Sequence, residues 1–222
     1  ITASRSMELF DKETNVNVSD LGICTLDELD VIVDPEKMVQ RVYETCQQLI
    51  NDDKRIIMIG GEHSLSLGHV KALKEKYSDM SVLHIDAHSD MASEDKGSKF
   101  DHGCVARRIS EICPIVQVGI RSITPEDIEY ASQKGIKIFY ASEIAKGKDN
   151  SWVDELISAL SHNVYVTIDV DALDTSIMPS VGTPEPGGLE WYQLLELLKK
   201  VGQEKNVLGF DLMELCPIPG NI

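Results

Sequence analysis

Six short apolar runs recur along the chain, each followed by a longer amphipathic stretch, and this alternation constrains the fold more than any other feature. The runs are rich in β-branched residues and apolar on both alternating faces, as expected for parallel strands covered on both sides. They are RIIMI (55–59), SVLHI (81–85), IVQVG (115–119), IKIF (136–139), VYVTI (164–168) and VLGF (207–210). Strands alternating with helices predict an α/β protein with a doubly wound, mostly parallel sheet and helices on both faces.

Helices are predicted between these runs, and several carry start signals. Asp34 is placed to cap a helix over residues 36–50, with Pro35 at the first helical position. Thr124 precedes Pro125 and two first-turn acids in the same way. Further helices are predicted over residues 64–77, 152–160 (capped by Ser151) and 189–201. In such a sheet, the functional site is expected at the carboxyl ends of the strands.

The charge balance limits the partners. The 222 residues include 21 Lys and Arg against 37 Asp and Glu, a net charge of −16. This balance argues against nucleic acid and anionic membranes as partners, since both need clustered basic residues, and it mildly favours cationic substrates or metal ions. No apolar run approaches the roughly 20 residues that a membrane helix needs. One domain over residues 1–222 is expected from the length.

The five cysteines are scattered and include no C-x-x-C pair. A disulfide framework or a cysteine zinc site is therefore not expected, and the reducing cytoplasm is the expected location.

The sharpest local feature is a run of alternating Asp and His where the SVLHI strand ends. Asp86, His88 and Asp90 are two residues apart, so on an extended backbone their side chains face the same side and can converge. Three oxygen and nitrogen ligands at a strand's carboxyl end form a plausible half of a metal site. An acidic turn that caps the next helix is the alternative for this motif taken alone.

Two further motifs follow other strands. Asp169 and Asp171 come after VYVTI, and two facing carboxylates repel each other unless a cation lies between them. His63 follows a Gly-Gly pair after RIIMI, where the glycines allow a tight turn; alone, it is more typical of a structural junction histidine. Together the motifs offer two His and four Asp, which suit two ions that share bridging carboxylates. The absence of Cys ligands favours a hard ion such as Mn²⁺.

The motifs GGEHSLSLG, DAHSD and TIDVDALD resemble the three metal motifs of the arginase/agmatinase (ureohydrolase) family, and FDHG, GTPEPGGL and FDLMELCP are also similar to that family. The resemblance implies a three-layer α/β fold and two Mn²⁺ ions per chain. It assigns the first ion to His63, Asp86, Asp90 and Asp169, and the second to His88, Asp86, Asp169 and Asp171. His102 takes the place of the family's proton-shuttling histidine, and Glu214 that of the glutamate facing the substrate guanidinium.

The implied reaction is hydrolysis of a small cationic guanidino compound. The segment before His102 lacks the arginase-like pattern, and VGIRS at 118–122 looks like agmatinases. Agmatine, hydrolysed to putrescine and urea, is therefore the first expectation. Arginase or guanidinobutyrase activity and an inactive binding protein of the same fold are the alternatives. A single-zinc amide hydrolase of the deacetylase branch is a further alternative, but that branch lacks a histidine at the position of His63.

Further expectations come from the resemblance and, for one loop and two histidines, from the residues themselves. The chain is expected to lack the family's first strand and last helix, and Thr175 stands where the family usually has Pro. A homo-oligomer, trimer or hexamer, is expected. The Pro- and Gly-rich stretch 175–188 is predicted to be a loop that forms a pocket wall. Among the other histidines, His84 is predicted to be buried and structural, and His69 is predicted to be solvated.

Overall fold

A computed structural model describes residues 6–147 and 149–217. The chain comprises two compact units, which divide between Val31 and Ile32. The single domain predicted over residues 1–222 stays a prediction. Within the described residues, no helix is both long and apolar enough to cross a membrane.

The first unit contains a short antiparallel hairpin that the sequence analysis did not predict. Strands β1 (Phe10–Asp11) and β2 (Val16–Asn17) pair with each other. In the turn between them, the Asp11 carboxylate accepts hydrogen bonds from the backbone of Glu13 and Thr14, as Asp commonly does in turns. A 3-10 helix, Val18–Leu21, follows.

The second unit is built on a six-stranded sheet in which every pairing is parallel. Its strands are β3 (Ile56–Ile59), β4 (Ser81–Ile85), β5 (Ile115–Ile120), β6 (Lys137–Tyr140), β7 (Asn163–Asp169) and β8 (Asn206–Met213). Their order across the sheet is β3-β8-β7-β4-β5-β6. All six predicted strands are thus confirmed, and β7 and β4 lie side by side at the centre.

Seven helices are described in this unit. They are α1 (Pro35–Asn51), α2 (Ser66–Lys76), α3 (Val105–Ser110), α4 (Pro125–Lys134), α5 (Ala141–Lys146), α6 (Ser151–Ala159) and α7 (Trp191–Glu204). The predicted caps Asp34 and Thr124 are confirmed, the latter within a capping box. The predicted cap Ser151 is wrong: it is the first residue of α6, and its backbone N–H bonds to Asp149 instead.

Alternating side chains on β7 separate the two faces of the sheet. Val164, Val166 and Ile168 pack with α5, α6 and α7 in one apolar core. Tyr165 points the other way and bonds to a side chain of α2, as the two-residue period of a strand requires. The predicted layered α/β fold with helices on both faces is therefore confirmed.

Candidate metal centre

The loop after β3 brings His63 to the edge of the sheet. Gly60 and Gly61 have φ of +85° and +89°, a region that other residues rarely adopt. A Cβ on Gly61 would also lie 2.5 Å from the Leu65 side chain. The chain then enters a 3-10 helix, His63–Leu65, which leads into α2. The double glycine is thus what places His63 at the strand-to-helix junction, as predicted.

The segment after β4 turns sharply through the D-x-H-x-D motif. Asp86 Oδ1 accepts a 2.7 Å hydrogen bond from the backbone N–H of His88. Asp90 has φ of +50°, which Asp tolerates better than most residues, and its carbonyl oxygen accepts from the backbone N–H of Arg107. The motif is therefore a tight turn rather than a continued strand. Hydrogen bonds at Asp86 and at Asp90 fix the two ends of this turn, so that its side chains converge.

The D-x-D motif at the end of β7 begins a 3-10 helix. Asp169 caps this helix by accepting a hydrogen bond from the backbone N–H of Asp171 at 2.9 Å. Asp171 Oδ1 in turn accepts from the backbone N–H of Ala87 at 3.1 Å. That bond joins the ends of β7 and β4, so the two acidic motifs are held together as one unit.

The six predicted ligands come together in two groups that share Asp86. In the inner group, His63 Nδ1 lies 3.0 Å from Asp86 Oδ2, 3.3 Å from Asp169 Oδ2 and 3.5 Å from Asp90 Oδ2. In the outer group, His88 Nδ1 lies 3.0 Å from Asp171 Oδ2 and 3.6 Å from Asp86 Oδ1. The two oxygens of Asp86 therefore face different histidines.

Crowded carboxylates shift the proton affinities of the inner group. Burial and the charge of Asp86 raise the pKa of Asp169 to about 8 and that of Asp90 well above its usual range. Burial lowers the pKa of His63, but the carboxylates of Asp169 and Asp86 outweigh burial and leave this pKa well above its ordinary value. In the outer group, the contact with Asp171 raises the pKa of His88 to about 11. Both groups therefore attract positive charge.

A buried hydrogen-bond chain sets the orientation of the His63 ring. His63 Nε2 lies 2.8 Å from the Thr167 hydroxyl, which donates to Asp211 Oδ1 at 2.6 Å. The only proton of the hydroxyl is thus committed to Asp211, so the hydroxyl accepts from His63 Nε2–H. Tyr165 donates to the other oxygen of Asp211. This series of hydrogen bonds leaves His63 Nδ1 as the nitrogen that faces the carboxylates.

The chemistry of the inner group fits a metal ion. His63 Nδ1 and Asp86 Oδ2 are buried and have no hydrogen-bond partner among the described residues, although such atoms are rarely left unpaired. Imidazole and carboxylate ligands without thiolates suit ions such as Mn²⁺ or Zn²⁺. A histidine ligand whose second nitrogen is held by a hydrogen bond is also the usual arrangement in metal sites. The residues present therefore fit the ions that the motifs imply.

Glu214 and His102 lie next to the ligand groups. Glu214 follows β8 with φ of +64°, a strained value for a Glu, and its Oε1 accepts from the backbone N–H of His63 at 2.8 Å. His102 Nδ1 lies 3.8 Å from the same oxygen, and its side chain is 44% exposed. Both predicted residues therefore lie beside the ligand groups and are partly exposed, Glu214 less than His102.

The loop at residues 175–188 lies against the outer group. The Thr183 hydroxyl donates to Asp171 Oδ2 at 3.3 Å. Arg121 donates to the carbonyl oxygens of Asp171 and Glu185 at 2.8 and 2.6 Å, so one guanidinium ties the loop to the metal motif. These contacts support the prediction that the loop is a wall of the pocket.

Several residues of the site were missed by sequence reasoning. Thr167 and Asp211 hold the His63 ring through its Nε2 atom. Glu62 lies with His102 and Glu214 in a group of potential ligands. The signal for Glu62 and Thr167 was their position inside the GGEHS and TIDVD motifs. The prediction that His69 is solvated is wrong: it is fully buried, because α2 is covered on nearly all sides.

Comparison with known proteins agrees with the geometry. The sequence model described as "Arginase family" matches residues 1–221. The N(1)-aminopropylagmatine ureohydrolase of Synechocystis is 38% identical over all of this chain and 75% of its own length. The agmatinase of Pyrococcus horikoshii is 37% identical over 96% of this chain and 74% of its own. The crystal structure of agmatine ureohydrolase from Thermoplasma volcanium superposes with a TM-score of 0.89 at 30% identity, covering 99% of this chain and 75% of that one.

The family follows from three agreeing observations: the motifs, the parallel sheet that brings them together, and relatives that match nearly the whole chain. The sequence-based prediction of a metal-dependent amidinohydrolase of the ureohydrolase type is confirmed. This chain belongs to the arginase family.

Proposed function

We propose that this chain is an agmatinase-type enzyme that hydrolyses the guanidinium group of agmatine to urea and putrescine, with two Mn²⁺ ions as cofactor. The observation that carries the proposal is the position of Glu214. Its Oε1 is anchored on the backbone of His63, a proposed ligand, and it lies 3.8 Å from His102. A carboxylate is thus fixed between a ligand of the inner group and the partly exposed His102.

The proposed metal ligands are the six residues of the two groups, with Asp86 and Asp169 shared between the ions. When bound, the ions would lower the pKa of a water molecule so that hydroxide is available at neutral pH. A strong nucleophile is needed because charge delocalisation makes a guanidinium carbon a poor electrophile. Burial keeps competing solvent away from the inner ligands, since His63 and Asp86 are fully buried.

Glu214 is proposed to orient the guanidinium. One of its oxygens is occupied by the His63 N–H, which leaves Oε2 free to accept from a substrate N–H. A charge-assisted hydrogen bond of this kind is stronger and more directional than a neutral one. The strained backbone at Glu214 is consistent with this role, since strain is often stored at functional positions.

His102 is proposed to deliver the proton that the departing amine requires. Cleavage of the C–N bond leaves the electron pair on the amine nitrogen, which must be protonated to leave. His102 is partly exposed, so it can exchange protons with solvent, and Asp101 Oδ1 lies 3.4 Å from its Nε2. Histidine is the side chain best suited to such a transfer near neutral pH.

The surroundings of His102 favour a substrate with a cationic tail. Asp95 and Asp101 form one acidic group with His102, and Glu62 and Glu214 form another group with the same histidine. Negative groups at a site mouth attract cations and disfavour carboxylates. This supports agmatine over arginine or guanidinobutyrate, which carry a carboxylate.

N(1)-aminopropylagmatine is the second candidate substrate, because the Synechocystis relative bears that name. Its tail carries one more amine than agmatine, so the same acidic surroundings suit it. The two candidates differ in length and charge but not in the group that is cleaved.

The test is urea release from four substrates by protein loaded with Mn²⁺: agmatine, N(1)-aminopropylagmatine, arginine and guanidinobutyrate. We expect kcat/KM to be highest for the first or second and two bound ions per chain. Glu214→Gln keeps the shape of the side chain but removes its charge, so it should raise KM for agmatine; Glu190→Gln, at the N-cap of α7 and in neither ligand group, is the matched control. No urea from any substrate would refute the proposal, and one bound ion would favour a single-metal amide hydrolase.

Two further proposals concern the setting of the enzyme. We propose the cytoplasm as its location, supported by the five cysteines, all within the described residues and all free. We also propose a homo-oligomer, trimer or hexamer, as the family resemblance implies. Size-exclusion chromatography with light scattering tests the second proposal, and a monomer at micromolar concentration would contradict it.

A further inference from the structure

A third histidine lies beside the inner group but is not one of the six proposed ligands. His84 is in the middle of β4 and is fully buried, as predicted. Its ring stacks on that of His63 with centroids 4.9 Å apart and planes 11° apart. Its Nε2 lies 3.2 Å from Asp86 Oδ2, and neither atom has a hydrogen-bond partner among the described residues. A buried nitrogen without a hydrogen-bond partner thus lies within ion-pair distance of the carboxylate that both ligand groups share.

Gln117 determines which nitrogen of His84 carries the proton. Gln117 Nε2 lies 2.7 Å from the carbonyl oxygen of Ser89 and 3.1 Å from His84 Nδ1. A carbonyl oxygen can only accept, which fixes the NH₂ group of Gln117 on this side and turns its second N–H to His84 Nδ1. A neutral imidazole has one donor and one acceptor. His84 Nδ1 is therefore the acceptor, and Nε2 bears the proton that faces Asp86.

The orientation of Asp86 matters because its two oxygens serve different groups. Oδ1 is fixed by the backbone N–H of His88 at 2.7 Å. Oδ2 lies between His84 Nε2 and His63 Nδ1, at 3.2 and 3.0 Å. Oδ2 has no hydrogen bond among the described residues, so the Nε2–H of His84 acts on it only by electrostatic attraction across the 3.2 Å contact.

We propose that His84 is a positioning residue: its Nε2–H attracts Asp86 Oδ2 electrostatically across their 3.2 Å contact, and Gln117 acts through His84 by setting its tautomer. The inference rests on the proposed metal centre. The rival role for His84 is that of a direct ligand, since it falls within one group of potential ligands with His63, Asp86 and Asp90. A nitrogen that bears a proton cannot coordinate an ion, so the Gln117 contact separates the two roles.

A matched pair of substitutions tests the proposal. The amide nitrogen of Gln coincides with Nε2 of a histidine, whereas that of Asn coincides with Nδ1. His84→Gln therefore keeps the donor to Asp86, and His84→Asn removes it while keeping a polar group near Gln117. Mn²⁺ affinity and stoichiometry, measured by equilibrium dialysis on the full chain, are expected to be near wild type for His84→Gln. For His84→Asn, we expect binding that is about 10- to 100-fold weaker, still with two ions, as for other outer-sphere partners of metal ligands.

Equal affinity of both variants and wild type would overturn the proposal, as would the loss of one ion in His84→Gln, which would make His84 a ligand. Circular dichroism confirms that each variant is folded. Gln117→Glu is the independent test, because a carboxylate would draw the His84 proton to Nδ1 and should weaken binding as His84→Asn does.

The tautomer itself can be read from ¹⁵N NMR of the imidazoles in the full chain without added metal. We expect the Nε2–H form in wild type, and the Nδ1–H form would overturn the proposal. This readout does not depend on turnover, so it separates failure of the present inference from failure of the proposed enzymatic function.

Discussion

The inner and outer groups of the metal centre are built differently, although they share Asp86. His63, in the inner group, is fully buried, and its ring is held by a hydrogen-bond chain through Thr167 to Asp211 within the sheet. His88, in the outer group, has a side chain that is 24% exposed, and its partner Asp171 is held by a backbone N–H and by a loop residue. The inner group is therefore fixed by the core, and the outer group by turns and loops at the more exposed edge of the site.

This difference suggests a division of labour. A group fixed by buried hydrogen bonds loses little freedom when it binds an ion, because its ligands are already oriented. A group held by loops can adjust as substrate enters. We therefore expect changes to the inner group to alter both folding and metal affinity, and changes to the outer group to alter mainly metal affinity or turnover.

Removing the shared carboxylate should have the largest effect. Asp86→Ala takes one ligand from each group, so we expect both ions to bind weakly and kcat/KM for agmatine to fall by at least about 10³-fold, since the proposed hydroxide nucleophile would depend on the ions. Metal analysis after dialysis against Mn²⁺, together with the urea assay, measures both effects. Asp52→Ala, at an exposed helix end, is the control. Retention of both ions in Asp86→Ala would contradict the shared role.

The dependence of metal binding on pH should be the next largest effect. The pKa of Asp169 is raised to about 8 by burial and by Asp86, so at neutral pH this group holds a proton that metal binding must displace. The affinity for Mn²⁺ should therefore rise by about tenfold per pH unit for each proton released. Above about pH 8, Asp169 has no proton left to release, so its contribution to this rise should cease there.

The same pKa shift predicts an opposite trend for the metal-free protein. A carboxyl group whose pKa is raised by folding binds its proton more tightly in the folded state, so stability falls as the pH rises from the unfolded pKa towards 8. Melting curves across this range, with and without Mn²⁺, should therefore diverge as the pH rises. If the melting temperatures with and without Mn²⁺ changed with pH in parallel, a raised pKa of Asp169 would be contradicted.

The hydrogen-bond chain beneath His63 gives a more selective test of the inner group. Thr167→Val keeps the shape but leaves His63 Nε2 and Asp211 Oδ1 without their shared partner. We expect the metal-free protein to lose about 1–3 kcal/mol of stability and Mn²⁺ binding to weaken by about tenfold. Thr167→Ser keeps the hydroxyl and should lose less of both. If urea denaturation gave the same stability for the two variants, the hydrogen bonds through the Thr167 hydroxyl would not stabilise His63.

The strands and the metal ligands of this site were easier to predict from the sequence than the residues that hold those ligands in place. Strands and ligand positions were accessible because they depend on local pattern: a strand end such as Ile85 is followed at once by Asp86 and His88. The hydrogen-bond partners Thr167 and Asp211 are 44 residues apart, so no local pattern links them. Their proximity follows from the pairing of β7 with β8, which the sequence alone did not give.

The errors have similar physical causes. Helices α3 and α5 were missed because each has only six residues and no side-chain cap, so periodicity had little to detect. His69 was predicted to be solvated because it is a polar residue on a helix. It is buried because Tyr165 provides a hydrogen-bond partner from the sheet at 2.9 Å, which compensates for burial in a way that only tertiary structure reveals.

The smallest effect is expected in the outer group, at the loop that contacts it. The Thr183 hydroxyl lies 3.3 Å from Asp171 Oδ2, a long hydrogen bond, and Asp171 keeps its backbone partner if the hydroxyl is removed. Thr183→Val should therefore cost less than about 1 kcal/mol of stability and change kcat for agmatine by less than about tenfold, with Thr183→Ser close to wild type. Because the same deletion at Thr167 is expected to cost more stability, the two pairs of variants compare the groups directly. An equal loss of stability at both positions would show that the outer group is as firmly built into the fold as the inner one.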